Sequence, residues 1–152
     1  MDDSAANGSS IALLAEYRDK RCALLGDAFA PDMSRALRQL ALERKEPRLR
    51  LDAVKLAHHG STKNVNDELL AAMDCGCFLV STDASRHGHP HPAALKRVVE
   101  GSRAPGRPTR LVFNYRNETT ALWADRALQE DQGFTAEFPE DGEEGAVLRL
   151  LG

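Results

Sequence analysis

Apolar runs of strand length alternate along this chain with stretches of helical periodicity, and this alternation limits the folds open to it. The runs SIALLAEY (10–17) and RCALLGDA (21–28) flank a short polar turn, so they predict a hairpin that ends at Gly26-Asp27. The stretch 31–45 predicts an amphipathic helix that stops before Pro47, because its apolar residues fall on one stripe. These are Met33, Leu37, Leu40 and Ala41.

The same alternation continues to the end of the chain. Strands are predicted at LRLDAVKLA (49–57), CFLVST (77–82), TRLVFNY (109–115) and GAVLRLL (145–151). Helices are predicted at NVNDELLAAM (64–73), capped by Asn64 or Asn66, at HPAALKRVVEG (91–101), with Pro92 in its first turn and Gly101 past its end, and at TTALWADRALQED (119–131). Strands alternating with helices indicate a layered α/β architecture, which we expect to be a single domain over residues 1–152.

Charge and apolar content exclude several classes of protein. The 20 Lys and Arg residues against 23 Asp and Glu give a net charge of −3, so the total charge does not favour a polyanionic partner. No apolar run is long enough to cross a bilayer, and Met1-Asp-Asp lacks the basic and apolar opening of a signal peptide. We therefore expect a cytoplasmic protein with no membrane contact. Cys75-Gly76-Cys77 predicts a turn into a buried strand, since no second cysteine pair completes a structural zinc site.

All five histidines of the chain lie between His58 and His91. Imidazole serves metal ligation, proton transfer and pH sensing, so this clustering predicts a chemical site. Three predicted strands end at residues of this kind: Asp27 after the second strand, His58-His59 after the third, and the 83–91 loop after the fourth. In α/β folds the loops at strand ends carry the chemistry.

Structural alternatives exist for each of these residues. The run His-Pro-His-Pro (89–92) is compatible with a helix-capping turn, and His58-His59 with a buried pair bonded to backbone carbonyls. Asp27 is compatible with an N-cap for the helix near Pro31, although Asp32 is the nearer candidate. Gly60-Ser61 would let the backbone approach a ligand and offer a hydroxyl or amide to an oxyanion, and a simple turn explains the pair as well.

The segments LLGDA, DAVKLAHHGSTKNVNDELL and LVSTDASRHGHPHPAAL, taken in order, resemble the C-terminal half of metallo-β-lactamase-fold hydrolases, in particular the hydrolase domain of DNA-uptake competence proteins. The resemblance covers residues 7–115. It implies an αββα sandwich that holds one or two metals, usually zinc and sometimes manganese or iron, at one edge of its paired sheets. A metal of this kind lowers the pKa of bound water to near neutrality.

The resemblance also implies roles for particular residues. Asp27 matches the bridging aspartate, His58 or His59 an active-site histidine, and a histidine of residues 87–91, foremost His89, the late metal ligand or substrate contact. We therefore expect the divalent metal, zinc or manganese, to be held by Asp27, His58 and His89. His58, His59 and Ser61 are the catalytic candidates. Which histidine of each cluster takes which role is left open.

The chain departs from this family in one important respect. The principal metal motif, His-x-His-x-Asp-His, is absent, and no additional histidine precedes Asp27. The chain therefore resembles the second half of the domain and is expected to begin after that motif. Half a sandwich would expose the sheet face that normally packs against the other half. We expect a homo-oligomer or a complementing N-terminal half.

Three functions follow from these observations. The first is a metal-dependent hydrolase that attacks phosphodiester or similar ester bonds, in a small molecule or a nucleic acid, through metal-activated water. The second is a noncatalytic or split half-domain that acts with a partner chain. The third is a nucleic-acid-binding module with a local basic surface. The alternative explanation of that basic surface is an ordinary solvated face. That surface would comprise Lys55, Lys63, Arg86, Lys96, Arg97 and residues 102–110.

Overall fold

The computed structural model describes residues 5–85, 87–104, 106–140, 142–143 and 145–151. Over these residues strands and helices alternate. The strands are β1 (Leu13–Tyr17), β2 (Lys20–Leu24), β3 (Leu49–Arg50), β4 (Ala53–Lys55), β5 (Met73–Asp74), β6 (Cys77–Val80), β7 (Thr109–Phe113) and β8 (Phe134–Glu137). The helices are α1 (Ala5–Gly8), α2 (Ala30–Glu43), α3 (Asp67–Ala71), α4 (Pro92–Ser102), α5 (Glu118–Ala121) and α6 (Arg126–Gln132), with 3-10 turns at Ala57–Gly60 and Leu122–Ala124.

Most of the strands form one sheet in the order β1-β2-β4-β6-β7-β8. The β1–β2 hairpin is antiparallel, and every further pair in this sheet is parallel, with helices in the connections. Strands β3 and β5 form a separate short parallel pair, so the predicted strand 49–57 is two short strands in different sheets. The expected α/β class is confirmed as a mixed α/β fold with a mostly parallel sheet.

The helices cover one face of the large sheet. Alternate strand residues point to this face, as the period of two in a strand requires. They share one apolar core with the buried residues of α2, α3 and α4. The strand side chains Val54, Phe78, Val80, Leu111 and Phe113 pack in this core with Leu37, Leu69, Leu95 and Val98 of the helices.

The opposite face of the sheet is covered only in part. Its central residues form a second, smaller cluster comprising Ala53, Cys77 and Val112 with the partly buried Cys22, Leu79, Leu148 and Leu150. Leu148 and Leu150 belong to the C-terminal segment 145–151. Towards the β1 edge, Leu13, Tyr17 and Leu24 are 58%, 63% and 41% exposed. We call this surface, formed by Leu13, Tyr17, Leu24 and the second cluster, the open sheet face.

Two sequence expectations at the C-terminal end are wrong. Residues 145–151 form no strand: Leu148 and Leu150 pack on the open sheet face, and Gly145 N–H donates to Asn114 O at 2.8 Å. The last strand of the sheet is instead β8, whose Phe134 is buried against Trp123 with ring centroids 5.4 Å apart. The single helix predicted over 119–131 is broken at Asp125, because that side chain accepts from the N–H groups of Ala127 and Leu128 and so begins α6.

Gly101 also differs from its predicted position, since it lies inside α4 and not beyond it. Asn66, one of the two proposed caps, is the N-cap of α3 and accepts from Leu69 N–H at 2.8 Å. No helix in the described part of the chain is long and apolar enough to span a membrane.

Candidate functional site

The histidines and Asp27 meet at the edge of the sheet formed by the carboxyl ends of its parallel strands. Gly26-Asp27 follows β2, His58-His59 follows β4, and the loop that contains His89 follows β6. Backbone hydrogen bonds join the three segments. His58 N–H donates to Gly26 O at 2.9 Å, and His91 N–H donates to Gly60 O at 3.1 Å. The convergence of these three strand ends, predicted from the sequence, is what the structure has.

The five histidine rings form one cluster with His89 at its centre. The ring centroid of His89 lies 5.0 Å from that of His58, 6.4 Å from His59, 6.0 Å from His87 and 4.6 Å from His91. His89 is buried, whereas His87 is exposed. The two histidine clusters of the sequence are therefore one cluster in space.

The backbone that presents His58 and His59 adopts an uncommon conformation. Three consecutive residues have positive φ: His58 at 45°, His59 at 56° and Gly60 at 86°. Non-glycine residues in this region cost about 1–3 kcal/mol each and persist where their surroundings enforce them. At Gly60 a Cβ would lie 3.0 Å from Pro90 Cβ, so the 57–60 turn and the 87–91 loop are in direct contact. The peptide bond between His89 and Pro90 is cis.

His58 is held through its Nδ1 atom by Asn64. The distance from His58 Nδ1 to Asn64 Oδ1 is 3.2 Å. Asn64 is fully buried, and its Nδ2 donates to Asp27 O at 3.3 Å and to Ala28 O at 3.1 Å. One side chain thus links His58 to the segment that follows β2. His58 Nδ1 also lies 3.3 Å from Asn7 Nδ2.

His59 and His91 are held through Nδ1 by backbone groups of opposite type. His59 Nδ1 is hydrogen-bonded to Ser81 O, which can only accept. His91 Nδ1 accepts from Thr62 N–H at 3.1 Å and lies 3.2 Å from Thr62 Oγ1. The predicted pairing of His58-His59 with backbone carbonyls is therefore found for His59, whereas His58 is bonded to a side-chain amide.

The environment of His89 keeps its imidazole neutral. Burial, together with the neighbouring His91, His58, His59 and His87, lowers the pKa of His89 to about 4. At neutral pH the cluster therefore has an uncharged ring at its centre. Neutral imidazole is the form that ligates metals.

Asp27 is placed by its backbone. Its N–H donates to Ser10 Oγ at 2.8 Å, and its carbonyl accepts from Asn64. Helix α2 is capped by neither Asp27 nor Asp32: its N-cap is Phe29, which makes no side-chain capping bond. Burial lowers the pKa of Lys55. The negative charge of the Asp27 carboxylate acts in the opposite direction, since it raises the pKa of Lys55.

Ser61 is buried, and its backbone N–H and its hydroxyl have partners within the chain. Its N–H donates to His58 O at 3.0 Å, and its hydroxyl accepts from Lys63 N–H at 3.3 Å. These contacts are those of a turn that follows the histidine pair. A catalytic role for Ser61 stays a prediction.

Two asparagines of the site were not assigned to it from the sequence. The sequence pattern indicates Asn64 only as one of two candidate helix caps, and the cap is Asn66. The sequence does indicate a second role for one asparagine, because helix α3 needs a single N-cap and both Asn64 and Asn66 precede it. Asn114, at the end of β7, accepts from Thr82 N–H at 2.9 Å and donates to Ser81 Oγ at 3.2 Å, so it supports the loop that also binds His59.

The described residues do not form a complete metal site. Among them, no group of three or more His, Cys, Asp or Glu side chains is arranged to hold a metal ion. A zinc site needs three or four such ligands with Zn–N distances of about 2.0–2.1 Å. This result parallels the absence of His-x-His-x-Asp-His from the sequence. Ligation of zinc or manganese by Asp27, His58 and His89 stays a prediction.

Four of the basic residues proposed as a nucleic-acid surface are paired with acidic ones. Arg97 lies 3.4 Å from Asp67, and Arg110 lies 2.8 Å from Glu137. Arg107 lies 2.6 Å from Asp74, and Lys96 lies 3.9 Å from Glu100. Arg86 lies outside the described residues. The nucleic-acid hypothesis stays a prediction, and these pairs are what an ordinary solvated face contains.

A cleft of about 960 Å³ lies at the opposite edge of the sheet, near the β1–β2 turn and the start of β6. Its charged lining residues pair with one another, as Lys20 does with Asp52 at 2.8 Å and Arg21 with Glu46 at 2.6 Å. The histidine cluster, and not this ion-pair network, is therefore the candidate site.

Comparisons of the chain with protein-family models, with curated proteins and with solved structures return no match.

Proposed function

We propose that this chain supplies the histidine-bearing half of a metallo-β-lactamase-like hydrolase centre, which acts on phosphodiester or similar ester bonds. The observation that carries the proposal is the convergence of Asp27, His58, His59 and His89 at one edge of a mostly parallel sheet. The ring of His58 is oriented by Asn64 and that of His59 by Ser81 O. Orientation through the second ring nitrogen is the usual arrangement around metal-ligating histidines.

The incomplete ligand set is part of the proposal. Asp27, His58 and His89 are the groups that this chain would contribute towards zinc or manganese. The remaining ligands would come from a partner chain that carries the missing His-x-His-x-Asp-His motif. Half of a bipartite site is expected to lack a full set of ligands by itself.

The open sheet face supports a partner of this kind. Leu13, Tyr17 and Leu24 leave apolar surface exposed on the side of the sheet opposite the described helices. In an αββα sandwich this is the side on which the second sheet packs. A contiguous exposed apolar patch is typical of an interaction surface.

Metal binding by the full chain tests the contribution of the histidines. Protein purified without chelators is titrated with Zn²⁺ and with Mn²⁺ by calorimetry. We expect weak binding close to one metal per chain, and a loss of at least tenfold in affinity in Asp27→Ala, His58→Ala and His89→Ala. His87→Ala is the matched control, because His87 belongs to the cluster but is exposed. Wild-type affinity in all of these variants would contradict the proposal.

Hydrolysis separates this proposal from a purely noncatalytic half-domain. The metal-loaded chain is assayed with bis(p-nitrophenyl) phosphate, alone and mixed with a chain that carries the missing motif on an N-terminal half-sandwich. We expect turnover only in the mixture, and its loss with His58→Ala. Metal binding without turnover in either assay would favour the noncatalytic half-domain.

A further inference from the structure

The hydrogen-bond partners of the histidines determine which ring nitrogen carries the proton. A neutral imidazole has one N–H donor and one nitrogen with a lone pair. A backbone carbonyl can only accept and a backbone N–H can only donate. A ring nitrogen in contact with either group therefore has its role assigned by its partner.

One partner of His58 is a side-chain amide whose own orientation is fixed. Asn64 Nδ2 faces the carbonyl oxygens of Asp27 and Ala28, and both of these can only accept. The nitrogen of the amide must lie on that side, so the atom 3.2 Å from His58 Nδ1 is the oxygen. Asn64 is fully buried, so water does not compete for these bonds.

Asn7 Nδ2, at 3.3 Å, would favour the opposite role for the same ring nitrogen, because an amide N–H needs an unprotonated Nδ1. The contact with Asn64 decides between the two, since two carbonyls fix the Asn64 amide independently of His58.

We infer that Asn64 is a positioning residue that fixes His58 with its proton on Nδ1 and its lone pair on Nε2. Ser81 O imposes the same tautomer on His59. The Thr62 N–H imposes the opposite one on His91, whose Nδ1 must accept and whose Nε2 then carries the proton.

The tautomers assign different chemical roles to the histidines of the cluster. Their consequence for metal binding rests on the proposed function. His58 and His59 offer Nε2 lone pairs, which can ligate a metal or accept a proton. Neutral His91 offers an N–H at Nε2, which can donate a hydrogen bond to a substrate oxygen but cannot ligate through that atom. His58 and His59 are therefore the ligand or base candidates, and His91 is a donor.

Nitrogen NMR of the full chain tests the assignment directly. Two-bond ¹H–¹⁵N correlation spectra distinguish the two neutral tautomers of each histidine. They are recorded on chelator-treated protein at a pH about two units above the ordinary histidine pKa of roughly 6.5. We expect the Nδ1–H form for His58 and His59 and the Nε2–H form for His91. An Nε2–H form of His58 in the wild-type chain would overturn the inference without any variant.

Variants of Asn64 show whether this side chain is responsible. Asn64→Leu removes the acceptor, and we expect His58 to lose its single Nδ1–H signature. Thr62→Val is the matched control: it removes the hydroxyl near His91 and keeps the backbone donor, so His91 should stay in the Nε2–H form. Retention of the Nδ1–H form in folded Asn64→Leu would contradict the role of Asn64.

The tautomer assignment and the proposed function can be contradicted independently of each other, the first by the spectra and the second by the hydrolysis assay. Correct tautomers without hydrolysis would leave the positioning role in place and remove the proposed function. Hydrolysis with His58 in the Nε2–H form would do the reverse.

Discussion

At the scale of single residues, the contact between Gly60 and Pro90 determines how closely the two histidine segments approach. Gly60 has a φ of +86°, and a Cβ there would lie 3.0 Å from Pro90 Cβ. Gly88 has a φ of +62° in the adjoining loop, and a Cβ there would meet nothing within 4 Å. The two glycines share a left-handed conformation and differ in their surroundings.

This pair of glycines gives a prediction about stability. Gly88→Ala should lower the free energy of unfolding by about 1–2 kcal/mol, the cost of a left-handed conformation for alanine. Gly60→Ala should cost a further 1–3 kcal/mol or so, because the added methyl group overpacks against Pro90. Urea unfolding followed by circular dichroism measures both values. Equal losses in the two variants would show that the 57–60 and 87–91 segments are not in contact.

The three thiols give a second prediction at this scale. Burial raises the pKa of Cys75 to about 12, and burial is also the main cause of the raised pKa values of Cys77 and Cys22. A raised pKa reduces the thiolate fraction below that value, and the thiolate is the reactive form. At pH 8 Cys75 should react with Ellman's reagent roughly a thousandfold more slowly in the folded chain than in guanidinium, and Cys77 should also react more slowly in the folded chain.

Cys22 is less buried than the other two cysteines, so it should react first. Cys22→Ser should remove the early phase and leave the slow one. Three thiols that react equally fast in the native chain would contradict the placement of Cys75 and Cys77.

At the scale of elements, α3 and α4 approach closely at Gly101. This glycine lies inside α4, where its backbone freedom is a disadvantage of about 0.5–1 kcal/mol relative to alanine. A Cβ at this position would lie 2.8 Å from Leu70 Cδ1 of α3. Close packing of the two helices, and not termination of α4, therefore explains the glycine.

Gly101→Ala should consequently destabilise the chain by about 1–3 kcal/mol, although the same change usually stabilises a helix. In a Leu70→Ala background the 2.8 Å contact with Cδ1 is removed and only the Cβ contact at 3.3 Å remains, so the second substitution should become neutral or stabilising. A thermodynamic double-mutant cycle by urea denaturation measures this reversal of sign. Stabilisation by Gly101→Ala alone would contradict the observed contact.

How far the sequence predicts an element depends on whether local signals determine it. The β1–β2 hairpin and helix α2 follow from nearby apolar periodicity, and their positions agree with the prediction. Strand β8 does not follow from nearby periodicity, because it depends on pairing with β7 and on the packing of Phe134 on Trp123, which are contacts between separate elements. Residues 145–151 show the converse, because an apolar alternation that predicts a strand instead packs on the open sheet face.

The same distinction applies to the candidate site. Asp27, His58, His59 and His89 were predicted to converge because parallel strands bring their carboxyl ends to one edge. Their hydrogen-bond partners could not be predicted in this way. Asn64, Ser81 and Thr62 act through contacts that depend on the conformation of the turns, including the positive φ values of His58 and His59.

At the scale of the whole molecule, the two faces of the large sheet differ in how completely they are covered. The helical face has a continuous buried core, whereas the open sheet face exposes Leu13, Tyr17 and Leu24. Exposed apolar area of this kind favours association, with a gain of roughly 25 cal/mol for each Å² buried.

We therefore predict concentration-dependent self-association of the isolated chain in sedimentation velocity experiments. The double variant Tyr17→Thr, Leu24→Thr should reduce association at least tenfold, since threonine keeps the strand propensity and removes apolar area. Leu42→Thr is the matched control, because Leu42 is 72% exposed and lies on helix α2. A chain that is monomeric at all concentrations, or one in which Leu42→Thr has the larger effect, would contradict the prediction.

The C-terminal segment 145–151 already occupies part of this face, where Leu148 and Leu150 pack beside Cys77 and Val112. In thermodynamic terms it is an intramolecular competitor, tethered at an effective concentration on the order of millimolar. Any second sheet that packs across the full face must displace it, so the measured affinity for a partner is the intrinsic affinity multiplied by the fraction of chains in which the segment is released. Seven residues without regular secondary structure would thereby set the concentration at which the proposed partner sheet binds.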